Sequence, residues 1–107
     1  MITCSFLSDS QTGQCVGFEL QGHAEDAESG SSIVCAAVSS AAYLVANAVT
    51  DVLQVPAEES ENDGHLLVRV SAAQQKRCAP FFQALRLHLA NLKEQYPQQI
   101  HMTNKEV

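Results

Sequence analysis

Apolar and polar positions alternate in two short runs near the start of the chain. Residues 2–7 (ITCSFL) read as a strand. So do residues 14–21 (QCVGFELQ), where Val16, Phe18 and Leu20 alternate with Cys15, Gly17 and Glu19. The polar segment 8–13 between them reads as a hairpin connection. With a regular turn near residues 10–12, Cys4 falls opposite residue 18 or 19, so Cys4 and Cys15 are not directly opposed. Residues 22–32 (GHAEDAESGSS) are small, polar and acidic and read as a loop containing two glycines, Gly22 and Gly30.

At Ile33 the period changes. Ile33, Val34, Ala37, Val38, Ala41, Ala42, Val45, Ala48, Val49 and Val52 recur at spacings of three and four, which predicts a helix with Ser31 or Ser32 as its N-cap. Its face of Ala and Val permits close approach, against a sheet or across a dimer interface. Pro56 stops the pattern. Residues 57–64 (AEESENDG) read as a solvent-facing acidic turn, and 65–71 (HLLVRVS) as a strand with Leu66, Val68 and Val70 on one face. A second helix is predicted from about Ala73 to Tyr96, with Phe82, Leu85, Leu89, Leu92 and Tyr96 as its buried stripe. Pro80 belongs near a helix start, so the regular helix is expected from close to Ala79. Pro97 ends it, and residues 99–104 (QIHMTN) read as a last edge strand. The order is β-β-α-β-α-β, with room for a short extra strand near 53–57. The expectation is one two-layer α+β domain over residues 1–107, a mostly antiparallel sheet beside two helices.

Charge narrows the functional classes. Twelve acidic against six basic residues give a net charge of −6, which argues against a broad nucleic-acid surface and is compatible with a basic protein or peptide partner. The apolar stretch 33–55 is interrupted by Ser39, Ser40, Asn47, Thr50 and Asp51, so no membrane span is expected, and the start has no signal-peptide pattern. The expected location is the cytoplasm. None of the four cysteines, Cys4, Cys15, Cys35 and Cys78, has CxxC spacing, so free thiols are expected rather than disulfides or a zinc site. No metal-site spacing, dinucleotide fingerprint or phosphate loop is present, and no cofactor is expected.

The candidate chemistry is a thiol. Cys35 falls in the first turn after the serine-rich cap, where unpaired N–H groups and the helix dipole favour a thiolate and can receive an oxyanion. His23 stands at the end of the second strand, before a loop able to fold it back onto the helix entrance, with Gly22 permitting a sharp turn beside it. Both residues also have a plain structural reading: a small cysteine in an Ala/Val helix is commonly core, and a histidine at a strand end is commonly a surface group.

The stretch 22–40, GHAEDAESGSSIVCAAVSS, resembles the signature of the ribosomal-processing cysteine protease family (Prp, or YsxB-like): Gly-His-Ala, about eight residues including a Gly, then Asp-Ile-Val-Cys-Ala-Ala-Val-Ser. The His-to-Cys interval and the IVCAAVS run both agree, and the order of elements extends the likeness over nearly the whole chain. The resemblance implies a small α+β homodimer. It also implies removal of the N-terminal extension of large-subunit ribosomal protein number twenty-seven, after a phenylalanine-containing motif, as in Firmicutes and related bacteria. Carried onto this chain it makes His23 the catalytic histidine, Cys35 the nucleophile and Ser39 a supporting residue on the same helical face at i+4. Ser32 departs from the family's Asp. It retains a capping oxygen but not the charge, with Glu25, Asp26 and Glu28 as acidic substitutes nearby. That departure motivates the alternative of a non-catalytic homodimer that binds the ribosomal protein. A purely structural dimer with Cys35 in the core is the third reading. Cys4 is expected in the core, Cys78 partly exposed, and His65, His88 and His101 inert; His65 and His101 meet only if the strand order allows it.

Overall fold

The computed structural model describes residues 1–22 and 29–107, with side chains from residue 33 onward in the second stretch. His23, Glu25, Asp26 and Glu28 lie outside the described residues, as do the side chains of Ser31 and Ser32. Strand β1 (Ile2–Ser8) and β2 (Cys15–Gln21) form the first hairpin. Its turn is tied by Asp9, whose Oδ2 accepts the N–H groups of Gln11 and Thr12 at 3.1 and 2.9 Å. Cys4 pairs with Leu20, and Cys15 with Ser8 beyond a bulge, so the two thiols stay apart; all four cysteines are free.

Helix α1 (Ser29–Asn47) begins earlier than its apolar pattern does. Ser31 and Ser32 are therefore helical residues rather than caps, and Cys35 is in the second turn, not the first. The pattern fails upstream because polar serines can occupy an exposed helix start without contributing to its stripe. The helix runs on into a single π-helical turn, Ala48–Val52. Gln54 then takes a left-handed conformation (φ 55°), and Pro56 follows in the outgoing chain. By length and composition Ile33–Val52 is apolar enough to cross a membrane, with a mean hydropathy of 1.7. Here its Val34, Val38, Ala42, Val45 and Val49 are buried in the core shared with the sheet.

The acidic segment is a strand, not a turn. β3 (Ala57–Asn62) pairs antiparallel with β4 (His65–Val70) through the two-residue turn Asp63-Gly64, where Gly64 has φ 74°. Its glutamates are poor strand formers, but the ladder to β4 overrides propensity, and charge on an edge strand discourages pairing with other chains. Helix α2 (Gln75–Gln95) starts four residues before Ala79, after a 3-10 turn, Ala72–Gln74, and keeps Pro80 as its sixth residue. β5 (Ile100–Glu106) closes the sheet, whose order is β3-β4-β2-β1-β5. Only the β1–β5 pairing is parallel. The two-layer, mostly antiparallel α+β class thus holds; the extra strand lies at Ala57–Asn62 rather than near 53–57. β2 and β1 separate β4 from β5, so His65 and His101 belong to non-adjacent strands.

Both helices pack on one sheet face. Phe18 and Phe82 meet edge to face at 6.2 Å, and the Arg86 guanidinium sits 4.3 Å over the Phe6 ring. Cys78 is fully buried in this core, not partly exposed. It occupies the same face of α2 as Phe82, Leu85 and Leu89, and burial pushes its thiol up. Cys4 is buried as well, its thiol pushed up to about 11.

The opposite sheet face carries one buried acid, Glu19. Its Oε2 lies 2.6 Å from His65 Nε2 and its Oε1 3.2 Å from Lys105 Nζ. Burial alone would push this carboxyl up, but the hydrogen bonds from His65 and Lys105 and their charges outweigh it and hold it below the usual glutamate range. An ionised carboxylate only accepts, so His65 Nε2 carries the proton. A depressed folded pKa contributes stability that is present above the unfolded value and lost as pH falls through the folded one. Thermal unfolding followed by circular dichroism is expected to show the melting temperature falling between about pH 6 and about pH 3, with a flatter fall for Glu19→Gln. Parallel curves for the two proteins would show that Glu19 does not contribute to acid lability.

Candidate active site

The end of the sheet where β1 begins, β2 ends and β4 begins is faced by the first half of α1. A cleft of about 190 Å³ opens there, lined by Cys35, Val38, Ser39 and Tyr43 of α1 on one side. Ile2, Leu20, Gly22, Asn62, Gly64, His65 and Leu66 line it from the sheet. Cys35, Ser39 and Tyr43 are spaced by four, one beneath the other along a single helical line. Cys35 is half-buried, in contrast to the fully buried Cys4 and Cys78. Cys35 thus lines the cleft while packing partly against the core. Cys15, also half-buried, lies in a separate depression near α2 with its Sγ 3.4 Å from the Gly17 carbonyl oxygen.

Placing Cys35 in the second turn changes its electrostatics. The helix dipole acts mainly through the first turn, so its effect on the thiol is weaker than a first-turn position would give. Helical side chains lean toward the N-terminus, however, which tilts the Cys35 side chain toward the first turn, whose N–H groups have no partner within the helix.

Gly22 anchors the other wall. Its N–H donates to the Gly64 carbonyl at 2.9 Å, extending the β2–β4 ladder by one bond. Its φ of 95° is a conformation L side chains rarely adopt, and a Cβ there would stand 2.5 Å from the Met1 carbonyl oxygen. Gly22 thus takes the backbone conformation that favours glycine, on the cleft wall; the turn expected beside His23 lies outside the described residues. The structure brings Cys35 and Ser39 together with Gly22; His23 itself lies outside the described residues.

Sequence reasoning missed Tyr43, Asn62, Gly64 and His65 as cleft residues. Tyr43 continues the spacing Cys35–Ser39 by one more turn and was available as a signal. The other three depend on β4 being the neighbour of β2, which no local pattern encodes. Tyr43 also hydrogen-bonds to Glu61 of β3, which pushes its phenol up. Among the described residues no three His, Cys, Asp or Glu side chains gather where they could hold a metal ion.

A family model described as cysteine protease Prp matches residues 1–101. A comparison with curated proteins gave no match. Among solved structures, an essential ribosomal processing protease Prp from S. aureus in complex with a substrate peptide superimposes with a TM-score of 0.84 at 23% identity. That match covers 98% of this chain and 100% of the other. The same protease with a covalently linked product peptide gives 0.83 at 24% identity, with the same coverage. The SMU.848 protein from Streptococcus mutans gives 0.79 at 28% identity, covering 100% of this chain and 96% of that one.

Gly22→Ala places a side chain where both the dihedral angle and the Met1 carbonyl oppose it. Such a change costs more than about 1 kcal/mol, and the melting temperature is expected to drop by at least about 4 °C. A differential scanning measurement within one degree of the parent would show that the Met1–Gly22 contact is not tight in solution.

Proposed function

The chain belongs to the cysteine protease Prp family, and from that membership we propose that Cys35 and His23 are the nucleophile and the acid–base of a ribosomal-processing peptidase. The observation that carries the assignment is the cleft itself. Cys35 is the cysteine that lines it, Ser39 stands one turn along, and Gly22, the residue directly before His23, forms the facing wall. The Cys35 thiolate attacks the scissile carbonyl carbon, the C–N bond breaks, and His23 passes its proton to the leaving amine. Water, deprotonated by His23, then attacks the thioester and releases the carboxylate and the free thiol. N–H groups of residues 29–32 are the candidate donors to the tetrahedral oxygen, because the thiol leans toward them.

The proposed substrate is the precursor of large-subunit ribosomal protein twenty-seven, cut after a phenylalanine-containing motif. Two features support it. The S. aureus relative is a ribosomal processing protease crystallised with a substrate peptide. The cleft here, about 190 Å³, is smaller than the roughly 300–1,000 Å³ of small-molecule sites, and Ile2, Leu20, Val38 and Leu66 line it with apolar surface. The proposed occupant is one bulky side chain of an extended peptide. Homodimer formation is proposed as well: α1 exposes Ile33 and Leu44 at 61 and 71%, and the π-helical turn after it exposes Val52 at 75%, apolar surface that a second copy would cover.

Incubation with the precursor and intact-mass analysis is expected to give one new N-terminus just after the phenylalanine motif. None should form with Cys35→Ala, and the rate with His23→Ala should be at least about a hundredfold lower. No cleavage of authentic precursor by the folded protein would overturn the substrate assignment. Ser32→Asp restores the family's charge before Ile-Val-Cys and is expected to raise turnover; unchanged turnover would show that the serine does not weaken catalysis.

A further inference from the structure

A second depression, of about 370 Å³, adjoins the cleft that holds Cys35 and is lined by Tyr43, Ala46, Asn47, Glu59, Glu61 and Leu66. Tyr43 and Leu66 line both hollows. The two walls also run in a consistent order. Along α1 the first hollow is lined by Cys35, Val38, Ser39 and Tyr43, and the second by Tyr43, Ala46 and Asn47. On β3 the numbers fall in the same direction, with Asn62 at the first hollow and Glu61 and Glu59 at the second. The hollows are therefore successive parts of one groove between α1 and the β3–β4 hairpin.

The two shared residues do different things. Leu66 is buried in the core and forms the floor. Tyr43 is 42% exposed, so its ring stands on the helix rather than filling the interior. Its phenol hydrogen-bonds to Glu61, which ties the helix wall to the strand wall across the groove. An ionised carboxylate only accepts, so the phenol donates, and that bond pushes its pKa up. An exposed hydrogen bond of this kind contributes little to stability. Its structural effect is to hold an aromatic ring at the junction of the two hollows.

Tyr43 follows Cys35 by eight residues, roughly 12 Å along the helix axis. An extended peptide advances about 3.3 Å per residue. A chain lying in the groove with its scissile carbonyl at Cys35 brings to Tyr43 the side chain three or four positions from the cut. We infer that the groove carries an extended substrate chain past Tyr43, and that Tyr43, braced by Glu61, is a specificity-determining residue that limits the size of the side chain accepted there. The inference rests on the peptidase reading of Cys35. An extended peptide is the occupant because the groove is continuous with the cleft of the proposed nucleophile, and its two hollows share one floor.

The test uses the full-length protein and synthetic peptides spanning the proposed cleavage site. In each peptide one position within four residues of the cut, on either side, carries Ala, Phe or 4-phenylphenylalanine, and kcat/KM is measured. Enlarging Phe to 4-phenylphenylalanine three or four positions from the cut, on one side, is expected to cost the parent protein at least about tenfold. Tyr43→Ala is expected to reduce that penalty to less than about threefold, at that position alone. Tyr43→Phe and Glu61→Ala, which each remove the brace, should reduce it in part, whereas Glu61→Gln keeps an acceptor and should retain it. Circular dichroism spectra at 25 °C should stay superimposable. No size penalty in the parent, or an unchanged penalty in folded Tyr43→Ala, would overturn the role of Tyr43 while leaving the peptidase reading in place. So would equal relief at every position, the residue at the cut included, as general loosening would give. Cleavage of none of the peptides and none of the precursor by the parent would overturn both. If Tyr43→Ala fails to fold, Tyr43→Leu, which keeps an apolar side chain but no ring or hydroxyl, carries the same comparison.

Discussion

The backbone at Gly22 is held between two carbonyl groups, and the cleft depends on that constraint. One, from Gly64, accepts its N–H; the other, from Met1, stands where a Cβ would be. Only a residue without a side chain satisfies both at a φ of 95°. The consequence is a sheet end that is closed tightly on three strands and faces α1 across a narrow space. Cys35, Ser39 and Tyr43 supply the helical side of that space. Gly22, the residue directly before His23, stands on its other side.

The placement of charge follows the same division. On the helix-facing side of the sheet the interior is aromatic and aliphatic, with Phe6, Phe18 and Phe82 at its centre and Arg86 laid over Phe6. On the other side a single carboxylate, Glu19, is taken out of water and satisfied by two cationic or proton-bearing partners. Four thiols then fall into distinct environments. Burial keeps Cys4 and Cys78 protonated and inert, Cys15 lies beside α2, and Cys35 lines the cleft. The four thiols thus differ in burial and in what each one faces.

What the sequence by itself determined is local. Alternation placed β1, β2 and β4 to within a residue or so, since a half-buried strand must alternate. The stripe Phe82–Leu85–Leu89 placed α2, and Pro56 and Pro97 stand just beyond the two helices they were expected to stop. The run IVCAAVS with its upstream Gly-His indicated the family to which the chain belongs, because the spacing within a motif is itself a one-dimensional quantity. Where local rules failed, tertiary pairing had overridden them. β3 is a strand because β4 offers it a ladder, although its glutamates favour a turn, and the Asp63-Gly64 hairpin signal directly after it lay unread. α1 starts at Ser29, ahead of its apolar stripe, because polar residues can extend a helix without adding to that stripe. Only the tertiary structure decided that β4 lies beside β2, and hence that Gly64, His65 and Asn62 share a cleft with Cys35. Glu19, His65 and Lys105, far apart in the chain, meet for the same reason: strand order is set by long-range packing, which no window of consecutive residues contains.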